Sequence, residues 1–403
     1  MMTSFSAIPI TSHVYWVGAI DWNLRDFHGY ATHRGSTYNA FLIMDEKIVL
    51  VDTVKRPFFN EMMARIRSVV DPERIDIVIS NHSEMDHSGS LPETIAAVRP
   101  QEVIASPMGK AALQDHFRWD VPVRAVKDGE TLSTGKLQLR FFETRMLHWP
   151  DSMFTFIETE KLLFSQDAFG MHLASAERFA DELPASVIEE ESAKYYANIL
   201  LPYSPLVAKL LERCQQLQLN TQIIAPDHGP VFRQDLGTVL ERYARWSAQK
   251  ITDKVVIVYD TMWESTHMLA RFIEEELRKL GHPVKVLSLQ AAHRSDVMTE
   301  LLEAGALCVG SPTLNNQMFP TIADLLTYAA GLKCQHLVGM AFGSHGWSGE
   351  GAKKVAATLS EMGVSVVGTV QCKYRPDETA QKACREMASA LSAALRERLS
   401  QED

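Results

Sequence analysis

Long apolar runs are missing from this 403-residue chain. Nowhere do eighteen or more apolar residues stand in a row, which argues against a membrane-spanning helix. The opening MMTSFSAIPITSHVYWVG also lacks the charged start and long apolar stretch of a secretory signal. Cysteine is scarce and scattered: Cys214, Cys308, Cys334, Cys372 and Cys384 are odd in number and never form a CxxC pair. Neither a disulfide framework nor a thiolate-held cluster is expected from them, and a reducing compartment is. Positive charge is in deficit, with 40 Lys and Arg against 50 Asp and Glu, a formal charge of −10. Such a surface repels phosphate backbones, so nucleic acid is a poor partner. Neither GxxxxGK nor GxGxxG occurs, which disfavours a nucleoside triphosphate or a dinucleotide. The expectation is a soluble, cytoplasmic protein with no membrane and no nucleic-acid partner.

What is present is ample apolar material, 46% of residues, enough for two domains. The rhythm changes near Gln249 to Lys254, after the amphipathic stretch QDLGTVLERYARWSAQ. The division expected is 1–250 and 254–403. Downstream, KVVIVYD, VKVLSL, ALCVG, HLVGMAF and VSVVG alternate with helical patterns. Five buried strands of this kind imply a parallel sheet covered on both faces, with ligands at the carboxyl ends of its strands. Upstream, HVYWVG, NAFLIMD, KIVLVDT, IDIVIS, LQLRFFE, MFTFIE, KLLFSQD and QIIAPD read as strands with fewer helices between them. An α/β domain with two mixed or antiparallel sheets, packed as a sandwich with helices outside, follows.

The densest chemistry lies where IDIVIS runs into His82, Glu84, Asp86 and His87. If the chain stays extended, His82, Glu84 and Asp86 face one cavity. His148 in MLHWPD, Asp167 after KLLFSQ and His228 in IIAPDHGP obey the same grammar, each following an apolar strand. Seven candidate ligands exceed what one tetrahedral ion accepts, so two metal ions are implied, with Asp167 the candidate bridge. The isolated His28, His33, His116, His172, His282, His293 and His336 read first as surface or packed residues.

The pattern HxExDH followed by His, Asp and His resembles the metallo-β-lactamase fold, whose hydrolases carry HxHxDH and usually bind zinc. Here Glu84 stands in place of the second His. A carboxylate makes the site harder and richer in oxygen, which suits non-haem iron. In this the sequence resembles the flavodiiron proteins.

The loops of the C-terminal half carry the second constellation. Thr261, Met262, Trp263, Glu264, Ser265 and Thr266 lie between a strand and a helix, where hydroxyls and backbone N–H groups cradle a phosphate. With no lysine in the loop, a monophosphate such as that of FMN fits. Ser311, Pro312, Thr313, Leu314, Asn315 and Asn316 form a second loop, and Ser344, His345, Gly346, Trp347, Ser348 and Gly349 a third. Together, TMWxST, SPTxNN and GSxGWSGEG look like the FMN loops of a flavodoxin, in which the second and third flank the isoalloxazine. Glu264 stands where some relatives have a smaller residue, and an acid beside a phosphate is unfavourable unless it points outward.

Read across nearly the full chain, the resemblance implies a metallo-β-lactamase-like αββα sandwich followed by a flavodoxin-like five-stranded doubly wound parallel sheet. It implies iron held by His82, Glu84 and His148 and by Asp86 and His228, with Asp167 bridging and His87 left open as a ligand. His28 and Tyr195 or Tyr196 are candidates to approach the substrate pocket. The segments HGYATHRGSTYNAFLI and KYYANIL match as well. The implied reaction reduces O2 to water, or NO to N2O, with electrons passed through FMN to a di-iron pair. The length leaves no room for an appended rubredoxin domain, so an external donor, expected to be rubredoxin, is required. A head-to-tail homodimer or dimer of dimers is implied. The rivals are a zinc hydrolase with an accessory flavodoxin domain and a non-catalytic electron carrier.

Overall fold

The computed structural model describes residues 5–402. Its first compact unit takes the described residues through His28, Thr32–Tyr195 and Pro205–Ala244. Seven strands form one sheet in chain order: β1 (Ile8–Pro9), β2 (Val14–Trp16), β3 (Phe41–Ile43), β4 (Ile48–Val51), β5 (Ile75–Ser80), β6 (Glu102–Ala105) and β7 (Val123–Ala125). The pairs from β1 to β4 are antiparallel, and those from β4 to β7 parallel. A second sheet follows, again in chain order: β8 (Thr131–Ser133), β9 (Gln138–Glu143), β10 (Met153–Ile157), β11 (Leu162–Gln166) and β12 (Ile223–Pro226). Only its last pair is parallel.

Strand periodicity decides which side chains meet. Val49, Val51, Ile77 and Ile79 turn to one face of the first sheet and pack with Phe141, Met153, Leu162 and Phe164 of the second. Leu50, Val78 and Val103 turn the other way, onto Met62, Met63 and Ile66 of the helix Phe59–Arg67 and Leu113 of the helix Pro107–Phe117. Both faces of the first sheet are therefore apolar, as the unbroken IVLV and IDIVIS runs require. The expected sandwich of two sheets with helices outside is what the chain forms.

The second unit contains Gly29–Ala31, Tyr196–Ser204 and the chain from Arg245 onward. Its strands are β13 (Val255–Tyr259), β14 (Val284–Ser288), β15 (Ala306–Gly310), β16 (Val338–His345) and β17 (Ser365–Lys373), in the order β14-β13-β15-β16-β17. All pairs are parallel, and helices alternate with them, as the sequence pattern implies. The reversal between β13 and β15 opens a crevice at the carboxyl ends of the strands. Close approach of β16 to the chain after β15 demands glycine at 343, where a Cβ would lie 2.0 Å from the Ser311 carbonyl oxygen.

Candidate functional site

The strand ends of the first unit converge on a buried polar cluster. The chain does not stay extended past β5: it turns after Ser80, and Met85–Ser88 form a single helical turn entered through Glu84. His82 and Glu84 therefore face one group of ligands, while Asp86 and His87 face another. One group is His82, Glu84, His148 and Asp167, another is Asp86, His87 and His228, and His87 and Asp167 also meet Asp227 in a third. All seven candidates from the sequence are brought together.

Asp167 stands between the two groups. Its Oδ2 lies 2.9 Å from His148 Nε2 and 3.5 Å from His82 Nε2, while its Oδ1 lies 3.1 Å from His87 Nε2 and 3.5 Å from His228 Nε2. Glu84 Oε2 closes the first group at 3.1 Å from His148 Nε2 and 3.3 Å from His82 Nε2. Asp86 closes the second, 3.2 Å from His228 Nε2 and 3.4 Å from His87 Nε2. The local backbone explains why Asp167 can do this. β11 shifts register between Phe164 and Gln166, Gln166 adopts a positive φ of 45°, and its side chain accepts from the Asp167 backbone N–H at 2.6 Å.

The electrostatics of the cluster point to bound cations. Burial alone would raise the Glu84 carboxyl, but hydrogen bonds from His148 and His82 carry it well below the usual range. Asp167 is held low against its burial by the charge of His87 and the hydrogen bond from His148. Burial would lower His87, yet Asp86 and Asp167 push it up to about 9. Protons on imidazole thus occupy the place of positive charge the carboxylates demand. Both Asp86 oxygens, Asp167 Oδ1 and both His87 nitrogens remain buried without a hydrogen-bond partner. A buried carboxylate oxygen in that condition is costly unless a cation satisfies it, so the donor set fits two metal ions.

Around this cluster lie Asp151, Thr37 and Asp227, to which sequence reasoning gave no role, together with the pocket candidates His28 and Tyr195. His82 Nδ1 donates to Asp151 Oδ2 at 3.3 Å, and His228 Nδ1 donates to the Thr37 carbonyl at 2.6 Å. Both contacts leave Nε2 facing inward. Asp227 is fully buried, and burial, then the charges of Asp52 and Asp167, raise its carboxyl far above normal. His172 is buried beside His228, with ring centroids 4.5 Å apart, and accepts or donates at Ser36 Oγ over 2.8 Å. His28 Nε2 reaches Glu84 Oε1 at 3.2 Å from an exposed position. Of the two tyrosines, Tyr195 lies at the cluster, its ring centroid 6.3 Å from that of His228, whereas the Tyr196 hydroxyl pairs with Ser204 at 3.1 Å. Outer partners such as Asp151 were hidden because nothing in local spacing connects residue 151 to residue 82.

In the second unit the crevice is a cleft of about 1110 Å³. It is lined by Met262, Trp263, Glu264 and Ser265 of the first loop, Pro312 to Asn316 of the second and Ser344 to Ser348 of the third. Thr261, Thr266, Ser311 and Gly349 are not among its lining residues, and the last three brace the loops. Thr266 Oγ1 meets Ser344 Oγ at 3.1 Å, Ser311 Oγ accepts from Phe319 N–H at 2.8 Å, and the Gly349 carbonyl accepts from Gln371. Asn315 and Asn316 both adopt positive φ, 51° and 57°, at the tip of a hairpin of strands Thr313–Leu314 and Gln317–Met318. That turn is why two asparagines stand there. Glu264 also has positive φ, 64°, at the entrance to the helix Ser265–Lys279, and its side chain caps nothing. Met268, Tyr374 and Arg375 line the cleft as well and had no motif to announce them.

Two observations fit this cleft to FMN. Thr261 Oγ1 is buried at the phosphate-type loop with no partner, and Trp263 and Trp347 stand 88% and 89% exposed at the rim, as rings awaiting a flat aromatic partner do.

Comparison with known proteins matches both halves of the chain. The family described as ODP family beta lactamase matches residues 37–229, and the Flavodoxin family matches residues 257–387. Rubredoxin-oxygen oxidoreductase of Megalodesulfovibrio gigas is 44% identical, covering 98% of this chain and 99% of its own. A solved structure of rubredoxin oxygen:oxidoreductase from Desulfovibrio gigas gives a TM-score of 0.96 at 43% identity, with 98% and 100% covered. Nitric oxide reductase of Moorella thermoacetica is 41% identical over 96% of this chain and 98% of its own. The flavodiiron protein from Giardia intestinalis superposes with a TM-score of 0.92 at 32% identity, covering 98% of each chain.

Replacing Thr261 with Val tests the phosphate loop. Val removes a buried hydroxyl that pairs with nothing, so the flavin-free protein keeps its melting temperature or gains. FMN affinity, read by fluorescence titration of the apoprotein, falls by the value of a hydrogen bond to a charged group, about 1.5–3 kcal/mol. An unchanged dissociation constant contradicts the assignment.

Proposed function

The chain belongs to the flavodiiron proteins, and from that premise we propose how its side chains serve the family's reaction, the reduction of O2 to water or of NO to N2O with electrons from an external donor. When bound, FMN converts between two-electron and one-electron transfer and the iron pair binds and reduces the gas, sharing the charge that develops on it. His82, Glu84 and His148 would hold one ion, Asp86, His87 and His228 the other, and Asp167 would offer one oxygen to each. The observation that carries this reading is the division of Asp167, whose Oδ2 is turned to the His148 side and Oδ1 to the His87 side. Glu84 favours iron over zinc, because an oxygen donor in place of an imidazole suits a harder ion. A hydrolase would have no use for the flavin cleft, and a mere carrier no use for so complete a ligand set.

The remaining side chains position and shield. Asp151 and the Thr37 carbonyl fix the rings of His82 and His228, and the near-complete burial of the ligands keeps bulk water and partly reduced gas from exchanging. Phe27 covers His172 at a ring-centroid distance of 4.6 Å, and Tyr195 closes the same side at 5.3 Å. In the second unit, Thr261, Ser265 and the first turn of the helix Ser265–Lys279 would take the phosphate, while Thr313 to Asn316 and Ser344 to Trp347 would clasp the ring. The assembly we propose is a head-to-tail homodimer or dimer of dimers in the cytoplasm, pairing the cleft of one copy with the metal cluster of another. Rubredoxin is the proposed donor. We propose 1–250 and 254–403 as the domains along the chain, near the step to the second unit at Arg245.

Gas uptake by anaerobically reduced protein, with O2 and NO offered separately at an electrode, tests the activity. The iron-loaded protein consumes at least one of them, and Asp167→Asn, which removes a negative charge between two cations, loses much of its iron and its uptake together. A variant with two irons per chain and undiminished uptake contradicts the bridging role, and a fully loaded wild type that consumes neither gas contradicts the function. Sedimentation across a dilution series tests the assembly. Turnover per chain falls as the dimer dissociates while both cofactors stay bound, whereas a fully active monomer excludes the head-to-tail arrangement.

A further inference from the structure

We infer that Asp227 is a positioning residue for His87: its carboxylate accepts from Nδ1 of the ring and so aims Nε2 at the ion shared with Asp86 and Asp167. This rests on the reading that the cluster holds metal, and it adds a residue outside the ligand set.

Asp227 is completely buried between Pro226, the last residue of β12, and His228. Its backbone is fully engaged, with N–H donating to the Gln166 carbonyl at 2.8 Å and C=O accepting from Asn39 N–H at 2.8 Å. Its side chain is not, for neither carboxylate oxygen has a hydrogen-bond partner. His87 Nδ1 is in the same condition, buried and without a partner. These two unsatisfied groups face each other, with 3.7 Å between His87 Nδ1 and Asp227 Oδ2. The neighbouring Asp52 carboxylate, by contrast, is already occupied. Asp52 accepts from the backbone N–H of Asn81 at 2.7 Å and from its side-chain amide at 2.9 Å.

The rest of the cluster shows what this position is for. Of the other candidate ligands, the buried histidines His82 and His228 each have an acceptor behind them, Asp151 and the Thr37 carbonyl. Asp227 supplies the same element for His87. The two ring nitrogens leave the imidazole from opposite edges, with Nε2 meeting Asp167 at 3.1 Å and Nδ1 meeting Asp227 at 3.7 Å. Asp227 therefore acts through His87. An acceptor on Nδ1 fixes the tautomer with its lone pair on Nε2, stops the ring from rotating, and raises its basicity as a ligand.

The test uses the full-length, iron-loaded protein, with Asp227→Ala, the isosteric Asp227→Asn, His87→Ala and the double variant His87→Ala/Asp227→Ala. Each is challenged with a chelator, and retained iron per chain is read by metal analysis alongside electron paramagnetic resonance of the half-reduced pair. Asp227→Ala releases one ion of the pair about 10–100-fold more readily than wild type while the other stays, and the resonance changes accordingly. Asp227→Asn, which keeps an acceptor oxygen but loses the charge, falls between. The double variant is no worse than His87→Ala alone, because the two residues act in series. Equal additional loss from Asp227→Ala in the presence and absence of the His87 ring overturns the inference, as does an Asp227→Asn protein with wild-type iron retention and resonance. A wild-type protein that binds no iron pair overturns the underlying metal reading as well, which separates the two failures.

Discussion

A single carboxylate, Asp167, faces two pairs of imidazoles from a fully buried position, and the organisation of the first unit follows from that arrangement. One oxygen on each side is what two adjacent cations need and what a protein without cations cannot tolerate cheaply. The orphaned oxygens of Asp86 and the unpartnered nitrogens of His87 express the same demand from the flanks. Burial makes the demand strict, because bulk solvent does not reach these atoms.

The sandwich exists to hold these groups still. β4, β5, β11 and β12 lie in the layer of apolar side chains between the sheets, and each delivers a polar residue just past its end: Asp52, His82, Asp167 and His228. Sheets fix such positions better than loops do, since each strand is pinned by its neighbours in register. Behind the ligands, Asp151, Thr37 and Asn81 tie ring and carboxylate orientations to the scaffold. The second unit follows a different logic. There, three loops at the carboxyl ends of parallel strands surround an open cleft whose exposed tryptophans and buried threonine hydroxyl suit a flat ring with a phosphate tail.

Much of this was legible from residue order. An apolar strand that ends in four titratable groups within six positions, followed by three more strands ending in His or Asp, announces convergent ligands, and the structure gathers all seven. The parallel sheet was legible because its strands read as continuous apolar runs between helical patterns. The orientation of the HxExDH segment was not. Period-two reasoning put His82, Glu84 and Asp86 on one face, but the helical turn at Met85–Ser88 rotates Asp86 and His87 to the other group. The orienting residues were also invisible, for Asp151 and Asp227 acquire their partners only through tertiary packing across 69 and 140 positions of chain. Met268, Tyr374 and Arg375 likewise reach the cleft from outside any recognisable loop motif.

The most direct test of this account is scanning calorimetry of the whole protein with its iron removed and then restored. If the cluster is built around two cations, stripping the metal leaves buried carboxylates unanswered, so the first unit unfolds at a clearly lower temperature and recovers when ferrous iron is returned. The flavin-binding unit is unaffected. A metal-free protein that unfolds at the same temperature as the loaded one would contradict the central claim that cations complete this core.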